Sequence, residues 1–178
     1  MKECKKQLRS LLLVKRNKIK NKEEKSSLIT EKIINDSWYK DARVVAVYKS
    51  LQSEVDTTNL IKDCFEKGKV VLLPKIENDF MNFYKIDKDE MLLKSSFGVE
   101  EPLGKSEKLY KPDEIDLMIV PGVGFDKENN RIGFGKGYYD KYLQNLNIKT
   151  IGICFKEQII DKLPHDEFDI RMNKIICD

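Results

Sequence analysis

Two short β-branched runs constrain the fold more than any other feature of the chain. Arg43-Val-Val-Ala-Val-Tyr48 and Lys69-Val-Val-Leu-Leu-Pro74 are almost continuously apolar, the pattern of strands covered on both faces. Between them Asp56 or Thr57 caps a helix that carries Leu60, Ile61 and Phe65 and ends at Gly68. Strand, helix and strand in that order form a βαβ unit, and a βαβ unit requires a parallel sheet. Ile115-Asp-Leu-Met-Ile-Val120 reads as a third buried strand, stopped by Pro121-Gly122, and Thr150-Ile-Gly-Ile-Cys154 as a fourth. Met81 to Ile86 and Lys174 to Cys177 read as further short strands. Residues 87–113 are mixed loop and short elements, with a turn-bounded loop at Phe97-Gly-Val-Glu-Glu-Pro102. A helix over 138–146 carries Tyr139, Tyr142, Leu143 and Leu146.

Ahead of the first strand the period changes to that of helices. Leu8, Leu11, Leu12 and Ile19 recur at helical spacing over 2–20, and Leu28, Ile29, Ile33, Ile34 and Trp38 do so over 22–40. Glu23 and Glu24 fall in the first turn of the second helix, where the dipole favours acidic groups. No repeat or low-complexity linker divides the chain. The expectation is a single three-layer α/β domain over 1–178. It has a mostly parallel, Rossmann-like central sheet, with residues 1–40 as a helical arm packed on the α/β body.

Charge matters here because of where it sits. The chain has 33 basic and 30 acidic side chains, too even a balance for a general nucleic-acid binder. Residues 1–25, however, carry Lys2, Lys5, Lys6, Arg9, Lys15, Arg16, Lys18, Lys20, Lys22 and Lys25 against only Glu3, Glu23 and Glu24. Such an arm either meets an anionic partner or is a solvated helix face. The cysteines, Cys4, Cys64, Cys154 and Cys177, form no CxxC pair, and His165 is the single histidine, so neither a zinc site nor a thioredoxin-like motif is expected. No secretory signal is visible and no apolar run approaches the ~20 residues of a membrane span. The expectation is a monomer without disulfides in a reducing cytoplasm, with neither a nucleic-acid nor a membrane partner.

The chemistry concentrates where the third strand ends. The chain runs Pro121-Gly-Val-Gly-Phe-Asp126 and then Arg131-Ile-Gly-Phe-Gly-Lys-Gly-Tyr-Tyr-Asp140, and five of its nine glycines fall at 122, 124, 133, 135 and 137. Alternating glycines let backbone N–H groups converge and let a bulky anion approach closely. A helix starting after Gly137 would add its positive end, and Arg131 and Lys136 add full charges. Open α/β sheets bind ligands beyond the carboxyl ends of their strands, where this loop falls. Phosphate binding follows, although a plain glycine-rich surface loop is the competing reading. The loop is neither of the common fingerprints: it has no Gly-Lys-Ser/Thr, and Gly133, Gly135 and Gly137 lie two apart, unlike G-x-G-x-x-G.

PGVGFD followed by RIGFGKGYYD resembles the signature of the 5-formyltetrahydrofolate cyclo-ligase family. The resemblance extends along essentially the whole chain. KKQLR at 5–9, with Arg16 seven residues beyond Arg9, is similar to the family's basic N-terminal segment, and SEVDT at 53–57 to its substrate segment. LLPK at 72–75, FGVEEP at 97–102 and FKEQ at 155–158 fit in order.

That resemblance implies an ATP- and Mg²⁺-dependent closure of 5-formyltetrahydrofolate to 5,10-methenyltetrahydrofolate, releasing ADP and phosphate through a phosphorylated formyl group. It implies ATP contacts from Lys5, Lys6 and Arg9 and from Arg131, Ile132, Gly133, Phe134, Gly135, Lys136, Gly137, Tyr138 and Tyr139. Arg131 and Lys136 would act on the transferring phosphoryl group. Lys49 and Glu54 would line the folate site together with Phe134, Gly135, Lys136, Gly137 and Tyr138, with Phe134 and Tyr138 placed to stack on the pterin. Asp140 and Asp169 would hold Mg²⁺. Of Tyr138 and Tyr139, only one is expected to face the ligand, because neighbours on a helix point apart. His165 is read as an ordinary loop histidine. Asn129 stands where relatives often have glycine, and asparagine tolerates the left-handed backbone that such a turn needs. Two rival readings differ in class: another phosphate-binding α/β enzyme, such as a sugar-phosphate isomerase, and a nucleic-acid-binding module that uses the basic arm.

Overall fold

The computed structural model describes residues 2–95 and 98–178; Phe97, and with it the start of the FGVEEP loop, lies outside them. The helices are α1 (Lys2–Asn17), α2 (Lys22–Asn35), α3 (Ser37–Asp41), α4 (Thr58–Glu66) and α5 (Tyr138–Leu143). The strands are β1 (Val44–Ala46), β2 (Val70–Glu77), β3 (Phe80–Ile86), β4 (Leu93–Lys94), β5 (Glu100–Glu101), β6 (Leu109–Tyr110), β7 (Leu117–Pro121), β8 (Gly124–Asp126), β9 (Arg131–Ile132), β10 (Lys149–Ile153), β11 (Ile159–Ile160) and β12 (Lys174–Ile176).

Seven strands form the central sheet in the order β12-β10-β7-β1-β2-β3-β6. Every pair from β12 to β2 is parallel, as the buried runs require, and β3 and β6 add an antiparallel edge. The β2–β3 hairpin turns on Asn78 and Asp79, both at positive φ (49° and 65°), the pairing that suits the strands' own twist. Strand alternation divides the core into two faces. Val45, Val47, Val71, Leu73, Leu117 and Ile119 meet Ile29 and Ile33 of α2, Tyr39 of α3, and Leu60, Ile61 and Cys64 of α4. Ala46, Leu72, Met118 and Val120 meet Phe83, Phe125 and Leu143 on the other side. The expected α/β class with a mostly parallel sheet holds.

Residues 1–40 divide in two. Ile29 and Ile33 are fully buried in the sheet's first layer, so α2 is core rather than appendage. The first helix stops at Asn17, short of 20, and the chain turns through Asn21 at φ 54° into α2. Helix α1 alone lies outside the main core. Its Leu12 packs with Val123, Ile132 and Leu163 against a small sheet, β11-β8-β9, whose strands carry no periodic signal in the sequence. Among the described residues no helix is long and apolar enough to cross a membrane.

Candidate functional site

β1 pairs in parallel with β2 on one side and β7 on the other, so the chain reverses direction across the sheet at β1. That is a switch point, where open α/β sheets leave a crevice beyond their carboxyl ends. A cleft of about 780 Å³ opens there, floored by Tyr48 and Lys49 beyond β1 and Pro121 at the end of β7.

Three distant segments close around it. From α1 come Lys5, Lys6 and Arg9; from the stretch after β1 come Lys49 and Glu54; from the glycine-rich segment come Arg131 through Asp140; and Asp169 completes the rim. All residues that the sequence nominates for ATP, folate and metal therefore line one cleft. Both Tyr138 and Tyr139 contribute to its wall. They sit in the first turn of a six-residue helix whose open N-terminal end faces the cleft, so pointing apart does not remove either.

Asp126 builds the turn that delivers Arg131. Its carboxylate accepts the Glu128 and Asn130 amides (3.0 and 2.9 Å), the Asn130 side chain (2.9 Å) and the Leu163 amide (2.8 Å). Burial pushes this carboxyl up, but those hydrogen bonds outweigh it and hold the carboxyl below the usual aspartate range. Asn129 takes φ 65° inside the turn, as its identity allows. β9 then pairs with β8 and carries Arg131 into the cleft wall.

Arg131 is buried and donates to Asp140 Oδ2 (3.0 Å) and to the Pro121 carbonyl (3.3 Å), with its guanidinium 5.4 Å from the Tyr139 ring centre. Its Nε has no hydrogen-bond partner among the described residues. Lys136 is exposed on the loop and has no ion-pair partner among the described residues. Gly135 and Gly137 adopt φ 97° and 70°, so the loop's path depends on glycine there. Arg9 lies against Gly135, where a Cβ would come within 3.0 Å of its guanidinium carbon, and donates from Nε to the Gly133 carbonyl (2.7 Å).

The five glycines do not share one task. A Cβ at Gly122 would lie 2.5 Å from the Phe125 ring, and one at Gly124 would lie 2.6 Å from Leu12. These two make room for packing, and only Gly133, Gly135 and Gly137 line the cleft. Helix α5 is shorter than the expected 138–146, so positive charge at the cleft comes from side-chain cations and loop amides more than from a helix end.

Asp140 and Asp169 lie close together, since Asp140 Oδ1 accepts the amide of Ile170 (3.1 Å). Each is held by a cation: Asp140 by Arg131, Asp169 by Lys5, which also pairs with Asp166 (2.9 Å). No cluster of three or more acidic, cysteine or histidine side chains that could cage a metal occurs among the described residues. Two carboxylates beside a cleft lined with phosphate-seeking cations are still a donor set that fits Mg²⁺, which takes one or two carboxylates and completes its shell with phosphates and water.

On the opposite wall Glu54 is only 8% exposed. Its Oε2 accepts the Leu51 amide (2.9 Å), and its Oε1 lies 3.7 Å from Nη1 of Arg16. Lys49 approaches Glu100 at 3.8 Å. Arg16, which the sequence places in the basic N-terminal segment without a site role, is the further candidate that the fold brings to Glu54. Its spacing from Arg9, two helical turns on the same face, was the available signal. His165 faces Arg171 (3.3 Å) and is not among the cleft residues.

The model of the 5-formyltetrahydrofolate cyclo-ligase family matches residues 1–178. The chain is similar to the 5-formyltetrahydrofolate cyclo-ligase of Mus musculus, 34% identical over 165 residues that cover 85% of this chain and 81% of that one. Its fold is similar to the NMR structure of Aquifex aeolicus 5,10-methenyltetrahydrofolate synthetase, with a TM-score of 0.85, 32% identity, and coverage of 97% of this chain and 88% of that one. It is also similar to a 5,10-methenyltetrahydrofolate synthetase of Mycoplasma pneumoniae, with a TM-score of 0.76 and 28% identity over 98% of each chain.

Proposed function

Because the chain belongs to the 5-formyltetrahydrofolate cyclo-ligase family, a family of ligases, we propose that it closes 5-formyltetrahydrofolate to 5,10-methenyltetrahydrofolate with ATP and Mg²⁺. The observation that carries this reading is one cleft bordered by arm cations, the glycine-rich loop and a buried carboxylate. Lys5, Lys6 and Arg9 would take the ATP phosphates from α1, and the amides from Gly133 to Gly137 would wrap them from the loop. Glu54 would accept hydrogen bonds from the amino-pyrimidine edge of the pterin. Lys49 would border the same site, and Phe134 and Tyr138 would flank the ring.

The formyl oxygen attacks the γ-phosphorus as the bond to ADP breaks. The neighbouring folate nitrogen then attacks the formyl carbon, the ring closes, and phosphate departs with the former formyl oxygen as the attacking nitrogen gives up its proton to the departing phosphate. Phosphorylation turns a poor leaving group into a good one, so the chain's task is positioning and charge neutralisation. Lys136, unpaired and exposed, is free to follow the transferring phosphoryl group, with Arg131 behind it. Asp140 and Asp169 would hold Mg²⁺, which when bound neutralises phosphate charge. Arg131 and Lys5, now paired with those carboxylates, would then turn to the nucleotide.

The inward pairing of Lys5 and Arg9 weighs against a nucleic-acid-binding arm. The deciding assay mixes protein, 5-formyltetrahydrofolate, Mg²⁺ and ATP and follows the near-ultraviolet absorbance of the methenyl product. Absorbance that rises only with both ATP and Mg²⁺ is expected; a flat trace from folded protein overturns the proposal.

A further inference from the structure

Arg16 lies four turns into a helix of lysines, yet it is only 2% exposed. It reaches across from α1 to the segment beyond β1. Nη2 donates to Ser53 Oγ (2.9 Å), Nη1 points to the Gly122 carbonyl (3.5 Å) and stands 3.7 Å from Glu54 Oε1, and the Phe134 ring covers its guanidinium at 5.2 Å. Nε is buried without a partner among the described residues. Buried ion pairs of this kind add little net stability, and an incompletely satisfied guanidinium adds less. Its geometry serves the cleft: it stands as an ion-pair partner beside one oxygen of Glu54 while the Leu51 amide hydrogen-bonds the other, and it lies against Phe134, the aromatic residue of the glycine-rich loop.

We propose that Arg16 is a positioning residue that orients the Glu54 carboxylate for the folate and braces it against Phe134 of the glycine-rich loop. This rests on the reading of Glu54 as a folate-site residue. Among the described residues, the charged and titratable groups that interact electrostatically with Glu54 are Arg16 from α1, Tyr48 beyond β1 and Tyr139 from α5. Burial pushes the Glu54 carboxyl up, and the Leu51 amide and Arg16 pull it back. Arg16 is the one cation in that set, so without it burial dominates and Glu54 takes up a proton nearer neutral pH.

The test compares wild type, Arg16→Met, Arg16→Gln and Arg16→Lys. The Glu54 carboxyl is followed by ¹³C NMR with labelled glutamate, assigned through Glu54→Gln, and KM for 5-formyltetrahydrofolate and for ATP is measured from pH 6 to 9. In the neutral variants the Glu54 titration is expected to move to higher pH. Folate KM at pH 7 rises about tenfold or more, the scale of a lost charge-assisted hydrogen bond, and recovers as pH rises, while ATP KM changes less. Arg16→Lys stays near wild type. A folded neutral variant with an unmoved Glu54 titration, or a folate KM raised equally at every pH, overturns the proposal. So does failure of both neutral variants to fold, which makes Arg16 a determinant of the fold. A wild-type protein inactive on 5-formyltetrahydrofolate overturns the proposed function instead, and the titration, which needs no substrate, still decides whether Arg16 sets the charge of Glu54.

Discussion

Lys5 donates to Asp166 and Asp169, which lie 161 and 164 residues further along the chain. Burial lowers the Lys5 pKa, but the two carboxylates outweigh it and raise it, so the ammonium is secure at neutral pH. The pair ties α1 to the cleft rim. Lys5→Ala is expected to raise KM for ATP about tenfold or more, as a charge-assisted contact to phosphate is lost, with KM for the folate nearly unchanged. Steady-state kinetics with each substrate varied in turn check this; equal effects on both would remove Lys5 from the nucleotide side. Deleting residues 1–10, which also removes Arg9, should raise it further.

Lys136→Ala should lower kcat by about 100-fold or more, the cost of removing one preorganised positive group from a transition state. The melting temperature should stay within error, because the side chain is exposed and unpaired. Turnover at the wild-type rate would exclude Lys136 from phosphoryl transfer.

Asp126→Asn should destabilise the protein by about 2–3 kcal/mol, since three backbone amides and a side-chain amide lose a charged acceptor. The sign of its pH dependence is fixed. The folded carboxyl titrates below its unfolded value of about 3.9, so its stabilising effect is complete above that value and is lost as pH falls through the folded one. Denaturant melts should show the gap between wild type and variant widest at neutral pH and closing below about pH 4. A gap that grew on acidification would contradict the hydrogen-bond account.

Gly152→Ala should cost about 1–3 kcal/mol, because a Cβ there would lie 2.5 Å from the Phe125 ring and 3.1 Å from Met172 inside a packed core. Both KM values should hold in whatever fraction stays folded. Urea melts and kinetics on the same preparation check the pair of outcomes.

The sheet was legible because parallel strands covered on both faces must be apolar throughout, and Val44–Val47, Val70–Leu73 and Leu117–Val120 have no other use for that pattern. The loop was legible because Arg131 and Lys136 stand among glycines. What stayed hidden was anything whose meaning is set across space. β8, β9 and β11 are two or three residues long, too short to show a period. Gly122 and Gly124 look like Gly133 and Gly135 until Phe125 and Leu12 are seen against them. Arg16 is one of ten basic residues in the first 25. Only the fold distinguishes the one that is buried against Glu54.

The seating of Leu12 on Val123, Ile132 and Leu163 has a consequence for the order in which the protein is made. Helix α1 leaves the ribosome well before the surface that receives it. At about 5–20 residues per second, the roughly 150 residues between Leu12 and Leu163 take on the order of ten seconds to appear. During that interval a basic helix with an apolar stripe waits beside a growing sheet, and β12, which completes the sheet's edge, arrives later still. The cleft therefore cannot assemble until Asp166 and Asp169 have emerged, long after the arm residues Lys5 and Arg9 that border it with them.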